Sequence, residues 1–424
     1  MISGKNEDMA AVCLKRAKAA PLKITLRMPL GSSFLDIFAP YLQNTRTLVA
    51  RYLWRIEELM NVFPNFPQSM PNLRSLELEQ MLGADLEQKV DPFESFVPAL
   101  EQLVLTSIPL FPSLLGLGTL TEFTITSDFD LHLDTLLDFL EGNRSLERVA
   151  LWTNFTDHSL LESRRENPMK NQLRYLLIAS CDKRVVQALI RSIPLQRGAT
   201  LHIRLSTGDS ILSDFLPDIS SAHLSKPPSP TFFQLGYGSF YNNVILDGPG
   251  GKLSFDGISL VSFAALVVLP LTNVREVRLS YRETWPATLG PPTFYPSYFP
   301  ALETLTVDKA DALGALSALL SNSPPSPSLK TIGFLNCDLP EDFMEELTRF
   351  ASERQIISTS TWLHRVQIVH SDGVFPSAAS IRRLRKCVKV VEVRMEDDFS
   401  MDLTSMALTT PPYDGRSRSC RSRA

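Results

Sequence analysis

The chain has 424 residues, of which 44% are hydrophobic and 21% charged, and its formal net charge is −4. A mildly negative chain of this composition has no broad attraction for polyanions, which argues against a nucleic-acid-binding or membrane-surface protein. No apolar signal segment is visible at the start, and the longest apolar run, residues 257–271, is broken by Ser262 and Pro270 and too short to cross a membrane. We therefore expect a cytoplasmic or nuclear protein with no membrane partner.

The first predicted elements are a strand, a helix and a second strand. Residues 21–26 alternate apolar and polar side chains as a half-buried strand does, and apolar residues from 34 to 42 recur at helical spacing behind a serine that can cap the helix. The phrase FLDIFAPYL within this helix also resembles the first helix of an F-box. The strands predicted on either side, the second at residues 47–53, favour a helix within a repeat.

A leucine template then recurs at intervals of 20 to 28 residues, with one longer interval of 34 residues between Leu329 and Leu363. Its fullest example is residues 171–181, NQLRYLLIASC, where Leu173, Leu176, Ile178 and Cys181 fill the pattern L-x-x-L-x-L-x-x-[NC]. One such unit cannot bury its own apolar face, so the repetition predicts a stack of parallel strands. The other segments that fit the template are 71–81, 98–108, 118–128, 144–154, 273–281, 300–310, 327–337, 361–371 and 388–395.

Helical patterns at residues 131–143 and 183–194 alternate with these strands. The sequence therefore predicts an α/β leucine-rich-repeat solenoid, with a curved parallel sheet on the concave face and helices and loops on the convex face. We expect a lead-in at residues 1–20, the solenoid at 21–398, and a disordered basic tail at 399–424.

The pattern weakens in the middle of the chain, where an irregular insertion is predicted at about residues 207–272. Residues 200–206 and 231–238 fit the strand template loosely, and residues 242–257 have the pattern of a hairpin. The GPGG turn at 248–251 is not a phosphate-binding loop, because the required earlier glycine and the Ser or Thr after the lysine are absent.

No catalytic or cofactor-binding constellation is recognisable in the sequence. The six histidines form no H-x-x-x-H pair, and no serine lies in a G-x-S-x-G motif. The five cysteines are scattered without a C-x-x-C pair, which is typical of reduced thiols in an intracellular protein. The sequence predicts a protein that is not an enzyme and needs no metal or cofactor.

Binding residues are expected on the concave face, where strand residues between the buried template positions point outward. Arg, Trp and Tyr dominate interface hot spots, and three such residues lie on adjacent predicted strands. The alternative for Trp152 is that a neighbouring loop covers it. The candidate partner-binding residues are Arg148, Trp152, Tyr175, Arg278, Asp308, Arg365 and Gln367.

Over roughly residues 13–398 the chain resembles the leucine-rich-repeat region of the F-box proteins of mushroom-forming fungi. The resemblance lies in CLKRAKAAPLKITLRM, PNLRSLEL, PALEQLVL, RSLERVAL, PALETLTV and VILDGPGGKLSF. It implies repeats that hold a ubiquitination substrate, and an N-terminal F-box that docks on a Skp-type adaptor of a cullin ligase. Only about a dozen residues precede the first repeat, and a three-helix F-box needs more. A free-standing repeat scaffold or inhibitor unconnected to ubiquitin is therefore the alternative.

Overall fold

The described part of the chain is an α/β structure in which strands of one sheet alternate with helices. Among the described residues, no helix is long and apolar enough to span a membrane. This computed structural model describes residues 7–27, 37–53, 70–81, 91, 99–114, 116–127, 131–153, 173–180, 183–193, 195–205, 232–237, 242–248, 251–258, 271–281, 296–308, 312–321, 328–357, 362–370 and 376–395.

The described strands form a sheet of sixteen, in the order β1 to β8, then β11, β10, β9, then β12 to β16. Neighbours pair in parallel except around β10, which runs antiparallel to both β9 and β11. The strands are β1 (Leu22–Arg27), β2 (Thr45–Leu53), β3 (Ser75–Gln80), β4 (Gln102–Thr106), β5 (Glu122–Ser127), β6 (Arg148–Thr153), β7 (Leu173–Ser180), β8 (Leu195–Leu205), β9 (Phe232–Tyr237), β10 (Asn242–Gly248), β11 (Gly251–Ile258), β12 (Glu276–Tyr281), β13 (Thr304–Asp308), β14 (Thr331–Leu335), β15 (Arg365–His370) and β16 (Val390–Met395).

The buried template residues of consecutive strands lie side by side. Leu103 of β4 pairs with Leu76 of β3 on one side and with Phe123 of β5 on the other, and all three are almost completely buried. Each such side chain stabilises the fold by about 1.5–3 kcal/mol through removal of apolar surface from water. The residues between them are not buried, so β3, β4 and β5 each have one apolar side and one polar side.

Three template segments share a backbone conformation at the same template position, which lies inside the end of β2 and directly after β4 and β14. Tyr52, Ser107 and Asn336 have positive φ angles of 63°, 54° and 53°, and each immediately precedes a buried residue of the template. The N–H of Ser107 donates to the Thr126 carbonyl at 2.6 Å, and the N–H of Asn336 donates to that of Val369 at 2.7 Å. These bonds connect this position to the next strand and satisfy backbone groups that would otherwise be unpaired.

The last position of the template is a cysteine in two segments, at Cys181 and Cys337, and the structure describes the second of them. Cys337 is buried, and its Sγ donates to the Val307 carbonyl of β13 at 3.3 Å. It therefore serves as a small apolar residue that also bonds to the preceding strand. Cys181 lies outside the described residues.

Helices cover the apolar side of the sheet. Phe139 packs against Phe123 of β5 at 4.4 Å between ring centroids, and Phe343 meets Phe334 of β14 edge-on at 5.2 Å. The helices are α1 (Glu7–Ala17), α2 (Leu133–Gly142), α3 (Lys183–Ser192), α4 (Ala312–Ser321), α5 (Glu341–Ile357) and α6 (Ala378–Leu384). We call the other side of the sheet, formed by the strand residues between the buried ones, the polar face.

The predicted helices at 131–143 and 183–194 are confirmed as α2 and α3. For the helix predicted near the start, residues 37–38 are helical and Ala39–Asn44 forms a 3-10 helix, while 28–36 lie outside the described residues. The predicted tail from 399 onward also lies outside them.

The middle of the chain contributes three strands to the sheet. The predicted hairpin is confirmed, since β10 and β11 pair antiparallel from Asn242 with Ile258 to Gly248 with Gly251. β11 pairs in parallel with β8, and β9 with β12, so the sheet continues through this region in reversed strand order. Val244 and Leu246 of β10 are buried in the same core as the template leucines.

Candidate functional site

The strand register brings three of the predicted binding residues into one area of the polar face. We call this area the central patch and define it by its rows across β6, β7 and β8. The rows are Arg148, Tyr175 and Thr200; then Ala150, Leu177 and His202; then Trp152, Ala179 and Arg204.

Arg148 and Tyr175 form the first cation–π pair of the patch. The guanidinium carbon of Arg148 lies 5.2 Å from the centroid of the Tyr175 ring. Burial raises the pKa of Tyr175, and the positive charge of Arg148 opposes that rise. Tyr175 therefore keeps its proton at neutral pH and can donate a hydrogen bond.

The second cation–π pair spans two strand intervals. The guanidinium carbon of Arg204 in β8 lies 5.5 Å from the ring centroid of Trp152 in β6. Ala179 of β7 occupies the register position between them, and its methyl side chain is small enough for the arginine to pass over. The half-buried Trp152 is thus covered in part by an arginine.

An apolar centre lies between the two pairs. Leu177 points to the polar face, yet it is only 7% exposed. Its register neighbours are Ala150 and His202, both partly exposed. The polar face therefore has, at this place, a buried leucine between two aromatic rings and two guanidiniums.

Arg148 has a carboxylate nearby, but the contact is long. Its Nε lies 3.8 Å from Glu122 Oε1 of β5, and both side chains are nearly half exposed. The other oxygen of Glu122 accepts a 3.1 Å hydrogen bond from Gln102. An exposed ion pair at this distance contributes little to stability, so Arg148 is only weakly neutralised.

The remaining predicted residues lie elsewhere on the sheet, because β11, β10 and β9 separate β8 from β12. Arg278 donates to Asp308 at 2.6 Å, so these two candidates neutralise each other. Arg365 donates to both oxygens of Glu392 at 2.7 Å, and this bond lowers the pKa of Glu392. Gln367 lies next to Glu392 in the register.

Sequence reasoning missed Arg204, which completes the patch. The segment TLHIRLS fits the alternation of a strand, and alternation alone places Arg204 outward with Thr200 and His202. The cation–π contact of Arg204 with Trp152 depends on the register between β7 and β8. This register shifts between Leu173 and Tyr175, so the alternation within each strand does not predict it. Gly198, with a φ of 84°, supplies the backbone conformation at this irregularity of β8.

The chemistry of the patch is set by the side chains that it exposes. It provides guanidinium N–H donors, a tyrosine hydroxyl, aromatic faces and an apolar centre. Among the residues that the structure describes, no group of three or more His, Cys, Asp or Glu is placed to hold a metal ion. Residues 396–398, the acidic run after β16, lie outside the described ranges.

In comparisons with known proteins, no family model and no curated protein gives a significant match to the chain. The resemblance to fungal F-box proteins therefore stays a prediction from the sequence.

Proposed function

We propose that the chain is a leucine-rich-repeat solenoid that acts as a non-enzymatic protein–protein interaction module, comparable to the substrate-recognition part of an SCF-type F-box protein. The observation that carries this proposal is the central patch, a group of Arg, Trp, Tyr and Leu side chains at one place on the polar face. Partly exposed aromatic and arginine side chains around an apolar centre favour protein binding.

The repeat assignment is supported by the order and chemistry of the strands. Template residues pair with template residues from β3 to β7 and again from β12 to β15. The positive φ angles of Tyr52, Ser107 and Asn336 recur at the same template position. Repetition of one structural unit, with the same buried positions and the same backbone conformation at one template position, is typical of a solenoid.

The burial of the segment that resembles an F-box helix argues against assembly with a ubiquitin ligase. In the segment that resembles an F-box helix, Phe38 and Leu42 are 3% and 7% exposed and belong to the core of the sheet. A helix that docks on an adaptor needs its apolar face accessible. This burial favours the alternative function, a repeat scaffold or inhibitor that binds its partner without a ligase.

The test is affinity purification of the tagged full chain from a fungal lysate, followed by mass spectrometry. The informative variant is Arg148→Ala with Trp152→Ala. Its matched control is Arg51→Ala with Glu77→Ala, which removes a 2.7 Å ion pair from the same face. We expect specific partners that the patch variant loses and the control keeps. Recovery of a Skp-type adaptor and a cullin would support the ligase assignment, and their absence would support the scaffold.

The interaction proposal is wrong if the folded patch variant recovers the same partners as the unmodified chain, or if no protein is enriched over the tag alone. Circular dichroism and thermal unfolding establish that both variants are folded.

A further inference from the structure

Two groups of arginines can be distinguished on the polar face. Arg51, Arg278 and Arg365 each donate to a carboxylate of a neighbouring strand at 2.7 Å or less. The hydrogen bond from Arg51 to Glu77 raises the pKa of Arg51. These arginines are neutralised within the chain and have little capacity for an outside anion.

The two arginines of the central patch belong to the second group. Arg148 reaches Glu122 only at 3.8 Å, and Arg204 has no carboxylate within ion-pair distance among the side chains that the structure describes. A guanidinium that lies on a ring face still directs its N–H groups outward in its own plane. Such groups are suited to a bidentate carboxylate, and the ring contact reduces the entropy lost on binding.

The spacing of the two cations selects the shape of the ligand. The charge of Arg148 lies over Tyr175, and Arg204 crosses Ala179, which is four residues further along the same strand. Four residues of strand span about 13 Å, so two carboxylates held by the arginines are four residues apart in an extended peptide. The residue midway between them faces Leu177.

From this arrangement we propose that the central patch binds an extended acidic segment of another protein, with the pattern acid-x-apolar-x-acid. The inference rests on the proposed interaction function and names the chemistry of its partner. In an extended segment, residues one, three and five share a face, so both acids and the apolar side chain reach the patch together. Leu177 is already almost fully buried, so the apolar side chain of the segment packs mainly against the partly exposed Ala150, Trp152 and Tyr175, and this burial supplies the hydrophobic contribution to binding.

The charges around the patch favour a short acidic segment over a long polyanion. Glu122 of β5 lies beside Arg148. Further along the same face, Glu77 and Glu79 of β3 share the single cation Arg51, so this side of the patch keeps a net negative charge. A nucleic acid strand that continued past the patch would meet these carboxylates, whereas a segment with two acids would not. On the other side, β11 places Lys252 beside Thr200 and Asp256 beside Arg204 in the register, and adds no net charge.

The experiment measures binding of fluorescein-labelled peptides to the purified full chain by fluorescence anisotropy. The probe is Gly-Ser-Asp-Ser-Leu-Ser-Asp-Ser-Gly. Its controls are the same peptide with Asn in place of both Asp, and a peptide of equal charge with the two Asp only two residues apart. We expect the probe to bind at least about tenfold more tightly than either control, with an affinity that falls as salt is raised.

The protein variants are Arg148→Ala and Arg204→Ala, with Arg51→Ala/Glu77→Ala, which removes a neutral ion pair from the same face, as the control. Each patch variant is expected to weaken the probe about tenfold, and the control to leave it unchanged. Equal binding of the Asp and Asn peptides, or unchanged binding by both patch variants, would overturn the proposal. Tighter binding of a single-stranded RNA through the same arginines would overturn it in favour of a nucleic acid.

The peptide result and the purification result separate the two proposals. If the probe fails while partner recovery still depends on Arg148 and Trp152, only the acidic-segment proposal is wrong. If partner recovery is also independent of the patch, the proposed interaction function is wrong as well.

Discussion

Arg354 of α5 donates a 2.7 Å hydrogen bond from Nη2 to the carbonyl oxygen of Leu329, the first template residue before β14. Arg354 is 1% exposed, and burial lowers its pKa. The guanidinium carbon also lies 5.6 Å from the Phe350 ring centroid. A long helix is thereby fixed to the unit that precedes it through a buried polar bond.

Replacement of this side chain is expected to destabilise the protein strongly. Arg354→Ala should lower the free energy of unfolding by about 3 kcal/mol, because it leaves a cavity and removes the donor to a buried carbonyl. The control is Arg349→Ala on the same helix, which removes an exposed pair with Glu346 and should cost less than about 1 kcal/mol. Urea denaturation measures both, and similar losses would contradict the structural role of Arg354.

Thr45 is a position where the protein can be stabilised. It is fully buried at the start of β2, and its Oγ1 has no hydrogen-bond partner in the described part of the chain. Thr45→Val replaces a buried hydroxyl with a methyl group of similar size and should raise the free energy of unfolding by about 1 kcal/mol. Thr47→Val on the polar face of the same strand is the control, expected to change stability little. A loss of stability on Thr45→Val would show that the hydroxyl is bonded.

The recurrent left-handed backbone conformation can be tested by placing Asn at position 52 and Tyr at position 336. Tyr52 and Asn336 hold the same left-handed conformation, which asparagine tolerates better than tyrosine. Tyr52 is 44% exposed, so Tyr52→Asn should raise the free energy of unfolding by about 1 kcal/mol. Asn336→Tyr should lower it by at least that amount. Calorimetric unfolding of both variants gives the comparison, and shifts of the same sign would argue against backbone strain at this position.

Glu341 should make the attachment of α6 to α5 dependent on pH. Its carboxylate accepts hydrogen bonds from Ser380 Oγ and the Ser377 N–H, and lies 3.6 Å from Arg383 Nη2. The bond from Ser380 is the main reason that the pKa of Glu341 is lowered. Because the folded pKa lies below the unfolded value, the contribution is complete above about pH 4.3 and is lost as pH falls through the folded pKa.

The measurement compares the unmodified chain with Glu341→Gln by urea denaturation at pH 7 and below pH 4. The variant should be less stable at pH 7, and the difference should shrink in acid. Glu353→Gln reports the effect of removing one exposed carboxylate from the same helix. A difference between the chain and Glu341→Gln that is equal at both pH values would exclude this linkage.

The leucine spacing was sufficient to predict most strands and the two clearest helices. Leu103, Leu105 and their counterparts recur with a period of two inside each strand, and only a strand packed on one side requires that period. The order of β9, β10 and β11 could not be predicted, because hairpin signals fix which strands pair locally but not which neighbours the hairpin joins.

The candidate site was predictable only in part. Alternation placed Arg148, Trp152 and Tyr175 on one face, as the structure has them. Alternation placed Arg278 and Asp308 there as well, but whether two outward charges bind each other or a partner depends on side-chain geometry across strands. The pattern within a single strand carries no information on that geometry.

The reversed order of the central strands also bears on how the chain folds. In β12 to β16, pairing partners come from consecutive strands, as when Leu305 meets Ile332, whereas Leu201 must find Leu253 beyond an intervening hairpin. Closing that longer segment loses more chain entropy and slows the step that requires it. We expect the two flanking series of parallel strands, β1 to β8 and β12 to β16, to nucleate separately. The three strands β9 to β11 then pair late in folding and join the two series.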